Sequence, residues 1–218
     1  MSSDEQKRSP IARVRGFLTY LPAKLGYGIG PKAMSALRKR WVLLRHPHAT
    51  ISFGRHTYVG PGFSLHMPGP GTFEVGDRVE FRRRFRAEVT GPGRITIGDD
   101  VRFTYDVVVQ CSTSIEFGDR AVIAQGVMVV DGSHRFRDSE TPMLDQGYEY
   151  KPLRVGADAT VMSKCTVFSD VGERAFVGAN SVVSRPVPAH TLAVGSPARP
   201  IDYFGPPGSE PEELRVEQ

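Results

Sequence analysis

Apolar residues return every six positions along most of this chain, and they come in triplets. Phe53, Val59 and Leu65 form the first triplet, Val75, Phe81 and Ala87 the second, Ile97, Phe103 and Val109 the third. Three more open at Phe117, Val155 and Val171 and close at Val129, Val167 and Val183. Glycine often follows the apolar residue directly. Four residues past it stands a small or β-branched one, such as Val79, Ala121, Cys165 or Ser181. An amphipathic helix would repeat its apolar face at three and four residues, and a half-buried strand at two. Self-similarity at a fixed period marks a solenoid. A period of six with three apolar corners per triplet predicts a triangular prism of short parallel strands. Each triplet makes one coil, and the corners stack into one continuous core.

The coil starts at 53, 75, 97, 117, 155 and 171 show where the prism is interrupted. A bare coil of three hexads needs eighteen residues, and the actual steps are 22, 22, 20, 38 and 16. The early coils therefore carry short Gly/Pro-rich insertions. The fourth carries a long excursion over residues 132–152, and the fifth is two residues short. Insertions in a solenoid map to loops that project from a face, often the binding face. We expect residues 51–203 to form the repeat domain, preceded by a helical segment over 1–50 and followed by an acidic tail over 204–218.

Charge sharpens this division. The 218 residues carry a net charge of +4, but residues 1–45 alone hold ten Lys/Arg against Asp4 and Glu5, while the tail from Gly208 holds four Glu and one Arg. Ser9-Pro10 reads as an N-cap and first helical position, with Ile11, Val14, Leu18 and Leu21 on one face. After the glycine-rich GYGIG, Pro31 opens a second helix with Met34, Leu37, Trp41 and Leu44 at three/four spacing. The expected role is a cap on the open end of the prism. A basic amphipathic face on an anionic membrane is compatible with it. The repeat region has no basic excess, and Arg82–Arg86 reads as one outward strand face, so no nucleic-acid partner is expected. No apolar run approaches the length of a membrane span, and no secretory pattern stands at the N-terminus. Cys111 and Cys165 fall inside repeats and read as buried small residues in a reducing, cytoplasmic setting.

Five of the six histidines lie toward the ends of the chain. His134 alone lies deep in the repeats, in VVVDGSHRF, at the junction where the excursion begins. Imidazole titrates near neutrality and can serve as a base without extreme tuning. Asp131, three residues earlier, is a candidate to orient it. One mid-prism histidine cannot build a three-histidine zinc site, so no metal is expected.

The stretch VGERAFVGANSVVSRPVPAHTLAVGSPARPI, residues 171–201, resembles the C-terminal signature of the hexapeptide-repeat acyltransferases, a left-handed parallel β-helix family, and within it the sugar and polysaccharide O-acetyltransferases. The resemblance reaches upstream to about Val75. It implies a left-handed coil, His134 as general base, and direct transfer from acetyl-CoA to a sugar hydroxyl. It also implies coenzyme A in a groove between neighbouring prisms of a homotrimer. Ala179, Ser184, Arg185 and Arg199 match the positions that line that groove, the arginines facing CoA phosphates. Relatives often have an asparagine facing the acceptor; here Thr104 holds the matching position and Asp106 stands close by. Where many relatives read V-W-I-G in coil five, this chain reads Ala159-Thr160-Val161-Met162. Two other readings stay open: an inactive β-helix scaffold, and an N-acyltransferase acting on a nucleotide-linked amino sugar.

Overall fold

A computed structural model of the chain describes residues 30–215. The helix expected from Pro10 lies outside the described residues. The chain enters through α1 (Gly30–Arg45) and then winds into three parallel sheets. The first sheet stacks β1 (Thr50–Phe53), β4 (Thr72–Val75), β7 (Arg94–Ile97), β10 (Ser114–Phe117) and β15 (Leu153–Val155). The second stacks β2 (Tyr58–Val59), β5 (Glu80–Phe81), β8 (Arg102–Phe103), β11 (Val122–Ile123), β16 (Thr160–Val161), β18 (Phe176–Val177) and β20 (Thr191–Gly195). There β21 (Ala198–Tyr203) folds back antiparallel on β20 and closes the edge. The third stacks β3 (Ser64–His66), β6 (Arg86–Val89), β9 (Val108–Cys111), β12 (Met128–Val130), β17 (Thr166–Val167) and β19 (Val182–Val183).

The six-residue register is the stacking register. Phe53 pairs with Val75, Val75 with Ile97, Ile97 with Phe117 and Phe117 with Val155. Single bridges extend this row to Val171 and Val187, so the last two coils are sixteen residues each. Every register residue is buried except Phe53, which packs against the core from the open end. The early coils are filled by phenylalanine, with Phe81 5.1 Å from Phe103 and Phe103 5.0 Å from Phe117, ring to ring. The shorter late coils are filled by Val, Ala159, Cys165, Ala175 and Ser181.

The corners explain the recurring GD phrase. A Cβ on Gly118 would stand 2.5 Å from the Ala157 nitrogen of the next coil, so only glycine fits. The aspartate that follows receives a backbone N–H from the coil before it: Asp77 N–H donates to Asp99 Oδ1 at 2.7 Å, and Asp99 N–H to Asp119 Oδ1 at 2.8 Å. The next residue turns the chain in the left-handed region, at φ 57 for Arg78, 60 for Asp100, 59 for Arg120 and 55 for Asp158. Such a conformation costs a non-glycine residue about 1–2 kcal/mol. Here it lines up charged side chains that bond between coils: Arg78 donates to both oxygens of Asp100, and Arg120 to both oxygens of Asp158.

The cap is built differently from the expectation. Met34, Leu37, Trp41 and Leu44 do not cover the prism; they face away from it. The face of α1 that meets the prism is mostly polar. Ser35 Oγ accepts the Val59 N–H at 2.8 Å, while Arg38 donates to the Val59 carbonyl and Lys39 to the Thr57 carbonyl, both at 3.1 Å. The physical reason is the edge itself. β2 is the first strand of its sheet, and its unpaired N–H and C=O groups need polar partners.

Candidate active site

At Val130 the coil breaks out into the excursion. β13 (Gly132–His134) leaves the prism and pairs antiparallel with the returning β14 (Tyr148–Tyr150), with His134 opposite Tyr148. The hairpin is pinned at its base: Asp131 N–H donates to the Gln110 carbonyl, and Lys151 N–H donates to the Asp131 carbonyl at 2.8 Å. Its outer loop is held by Asp138, which accepts from the Thr141 hydroxyl at 2.6 Å and the Glu140 N–H at 2.9 Å. Those two bonds hold the Asp138 carboxyl below the usual carboxylate range.

His134 is exposed on this hairpin, its ring 4.3 Å from that of Tyr148, and Tyr148 in turn stacks on Tyr150 at 5.7 Å. Two clefts meet at the imidazole. The first, of about 490 Å³, runs along the third sheet past Gln110 and Glu88 and is walled by the two tyrosines. Its lining contains no Lys or Arg. The second, of about 500 Å³, lies under the outer loop among Arg135, Phe136 and Arg137. A shallower depression of about 390 Å³ opens on the other side of the hairpin base, lined by Ser133, Glu149, Phe168 and Ser184. The hairpin therefore divides the third face into a side running toward early coils and a side running toward late ones.

Asp131 is buried beneath the hairpin, and its carboxylate is taken up by the segment between β9 and β10. It accepts the Ser112 N–H at 2.8 Å, the Thr113 N–H at 2.7 Å and the Thr113 hydroxyl at 2.9 Å. It fixes the floor of the first cleft, and no hydrogen bond joins it to the imidazole among the described residues. Cys111 lies beside it, and burial, followed by the Asp131 charge, pushes its thiol up to about 12. A thiol so placed is not a nucleophile at neutral pH.

The other expected residues lie apart. Ser184 lines the depression past the hairpin. Ala179, Arg185 and Arg199 are exposed on the last coils, Arg199 on β21 opposite Val194. Thr104 and Asp106 line none of the three clefts. The Thr104 hydroxyl is buried without a hydrogen-bond partner, and Asp106 is a corner residue whose carboxyl is held low by Arg84. Sequence reasoning missed Tyr148, Tyr150, Glu88 and Gln110. The position following each third corner points outward, so Glu88 after Ala87, Gln110 after Val109 and Ser184 after Val183 form one readable column along that face.

No family model matches the chain. Among curated proteins it is 30% identical over 174 residues to the probable acetyltransferase Rv3034c of Mycobacterium tuberculosis, an alignment that takes in 76% of this chain and 56% of the relative. It is 31% identical over 117 residues to the serine acetyltransferase of Salmonella typhimurium, covering 51% of this chain and 38% of that one. Over most of its repeat region the chain is thus similar to acetyltransferases. It spans about half or less of the length of these relatives. Among solved structures, the hexapeptide-repeat containing acetyltransferase VCA0836 from Vibrio cholerae superposes with a TM-score of 0.51 at 22% identity, covering 92% of this chain and 96% of that one. A point mutant of AntD, an N-acyltransferase from Bacillus cereus in complex with dTDP-4-amino-4,6-dideoxyglucose and coenzyme A, superposes with a TM-score of 0.62 at 16% identity over 75% of this chain and 88% of that one. The fold shared with these solved structures is the left-handed parallel β-helix, which this chain precedes with α1. Among the described residues no helix is long and apolar enough to cross a membrane, and no cluster of His, Cys, Asp and Glu could hold a metal ion.

Proposed function

We propose that the protein is a CoA-dependent O-acetyltransferase that transfers an acetyl group from acetyl-CoA to a hydroxyl of a carbohydrate acceptor. The observation that carries this reading is His134 standing at the meeting point of two clefts, on a hairpin that rises from the repeat face. The acceptor enters the first cleft, where the tyrosines offer flat apolar faces and Glu88 and Gln110 offer hydrogen-bond partners. The imidazole takes the hydroxyl proton as the oxygen attacks the thioester carbonyl. The C–S bond then breaks, and the departing CoA sulfur is left to be protonated by the imidazolium. Holding both reactants in line supplies much of the rate, and a backbone N–H is the donor suited to the oxyanion. Acetyl-CoA approaches from the late coils, past Ser184, with Ala179, Arg185 and Arg199 toward its nucleotide end. The shared groove that arrangement needs calls for a cyclic homotrimer, and acetyl-CoA as donor fits a cytoplasmic enzyme.

An N-acyltransferase acting on a nucleotide-linked amino sugar, the class to which AntD belongs, is the second reading. The first cleft argues against it, because a diphosphate would find no Lys or Arg in its lining. The test is thiol release from acetyl-CoA with a panel of neutral sugars and nucleotide-linked amino sugars. His134→Ala should lower turnover by about 10²–10⁴, the range for one acid–base residue, with the melting temperature unchanged because the side chain is exposed. Full activity in the variant would remove His134 as the base, and no transfer to any acceptor by the parent protein would leave the scaffold reading.

A further inference from the structure

We propose that the outer face of α1 docks on an anionic lipid surface. Trp41 and Leu44 are 64% and 76% exposed, and Leu37 and Met34 are 57% and 46% exposed. At 3.6 residues per turn these four side chains share about 80° of arc, centred roughly 130° from the side that carries buried Ser35 and Val42. The stripe is thus unused by the prism, although it is the most apolar surface of the helix. By the same rotation Arg45 flanks it on one side and Arg40 on the other. The helix carries five cations, Lys32, Arg38, Lys39, Arg40 and Arg45, and no acidic residue. Arg38 and Lys39 are engaged with the carbonyls of the edge strand, which leaves Lys32, Arg40 and Arg45 beside the stripe or behind it.

Charge decides among the occupants. Residues 1–29 hold five Lys/Arg against Asp4 and Glu5. Laying that segment, or the α1 of a second copy, over the stripe would press like charges together. An anionic headgroup layer complements both halves of the pattern. It pairs the arginines at the rim and takes the tryptophan and leucines into the boundary of the acyl region. No residue of α1 lines any of the three clefts, so the docked helix leaves them unobstructed.

Trp41 is the sole tryptophan of the chain, which makes it a direct reporter. The full-length protein is mixed with vesicles of phosphatidylcholine containing about 30% phosphatidylglycerol, and with pure phosphatidylcholine vesicles, and Trp41 emission is followed. The expected result is a blue shift with the anionic vesicles only, quenching when the acyl chains are brominated, and reversal as salt is raised. Each Lys or Arg near such a surface is worth about fivefold in partitioning, so Arg40→Glu with Arg45→Glu should weaken binding by at least about 25-fold. Leu37→Ser with Leu44→Ser keeps the reporter and should abolish the blue shift without altering the melting temperature. The proposal is overturned if Trp41 emission is already blue-shifted and shielded from acrylamide in the absence of lipid, since the chain's own N-terminal segment or a second copy then covers the face. It is equally overturned if the anionic vesicles leave the emission unchanged.

Discussion

Replacing Asp131 separates two roles that look alike in a kinetic assay. In the native site three donors converge on its carboxylate: the Ser112 N–H at 2.8 Å, the Thr113 N–H at 2.7 Å and the Thr113 hydroxyl at 2.9 Å. Hydrogen bonds to a charged acceptor are each worth about 1.5–3 kcal/mol, but an orphaned N–H that water can reach loses only part of that. Ser112 and Thr113 are half-buried at the cleft floor, so water will reach them in a variant. Asp131→Ala should therefore cost about 3 kcal/mol. For a chain of this size that is a fall of roughly 6–12 °C in melting temperature. Asp131→Asn keeps one acceptor oxygen and turns an NH₂ toward the loop donors, for about half the loss and roughly 3–6 °C. Differential scanning calorimetry beside steady-state kinetics reads both quantities. On the structural role, loss of activity follows loss of melting temperature, and the alanine variant is the worse of the two. An Asn variant with unchanged melting temperature and a strongly lowered kcat would refute this and restore Asp131 as the partner of the imidazole.

Two further outcomes follow from the core. Phe81→Ala removes a fully buried ring in contact with Phe85 and Phe103 and should cost about 3–5 kcal/mol, read as a urea midpoint shift at constant slope; a loss below about 1 kcal/mol would mean that the early coils collapse around the gap. Cys111, pushed up to about 12, and Cys165, also pushed up by burial, are almost wholly protonated at pH 8. Iodoacetamide should leave both unmodified in the folded protein and label both in guanidinium, as intact-mass spectrometry will show, whereas rapid native labelling of Cys111 would contradict the closed cleft floor.

What could be read from the sequence followed from what repeats. The six-residue register named the buried corners and their stacking partners, because a coil can close only when each corner meets its counterpart one coil away. His134 was legible from its position where the register breaks. Its surroundings were not, because the excursion has no period: nothing in the spacing alone sets Tyr148 against His134. The placement of Asp131 has a geometric source: the chain bends there, and its carboxylate is taken by Ser112 and Thr113, a contact across coils that spacing along the chain does not show. The error over α1 has an energetic one. Three/four spacing shows that a helix has an apolar face. It does not show that the neighbouring edge strand needs hydrogen-bond partners more than it needs apolar cover, which is why Ser35, Arg38 and Lys39 face the prism.

The outward column of the third sheet acts as a ruler. Glu88 and Gln110 stand on β6 and β9, His134 rises just beyond β12, and Phe168 and Ser184 come directly after β17 and β19. Adjacent parallel strands are about 4.8 Å apart, so Glu88 and Ser184, four strands distant, are separated by roughly 19 Å along the prism axis. The backbone ladders allow that length to change only in whole strands. Substituting side chains reshapes either end of the face but cannot slide one end toward the other. An added coil between β12 and β17 would carry Ser184 about 4.8 Å further from the histidine in one step, and a deleted coil would bring it the same amount closer. A relative with a longer or shorter reach between its two substrates must differ from this chain by complete coils or by the height of its hairpin.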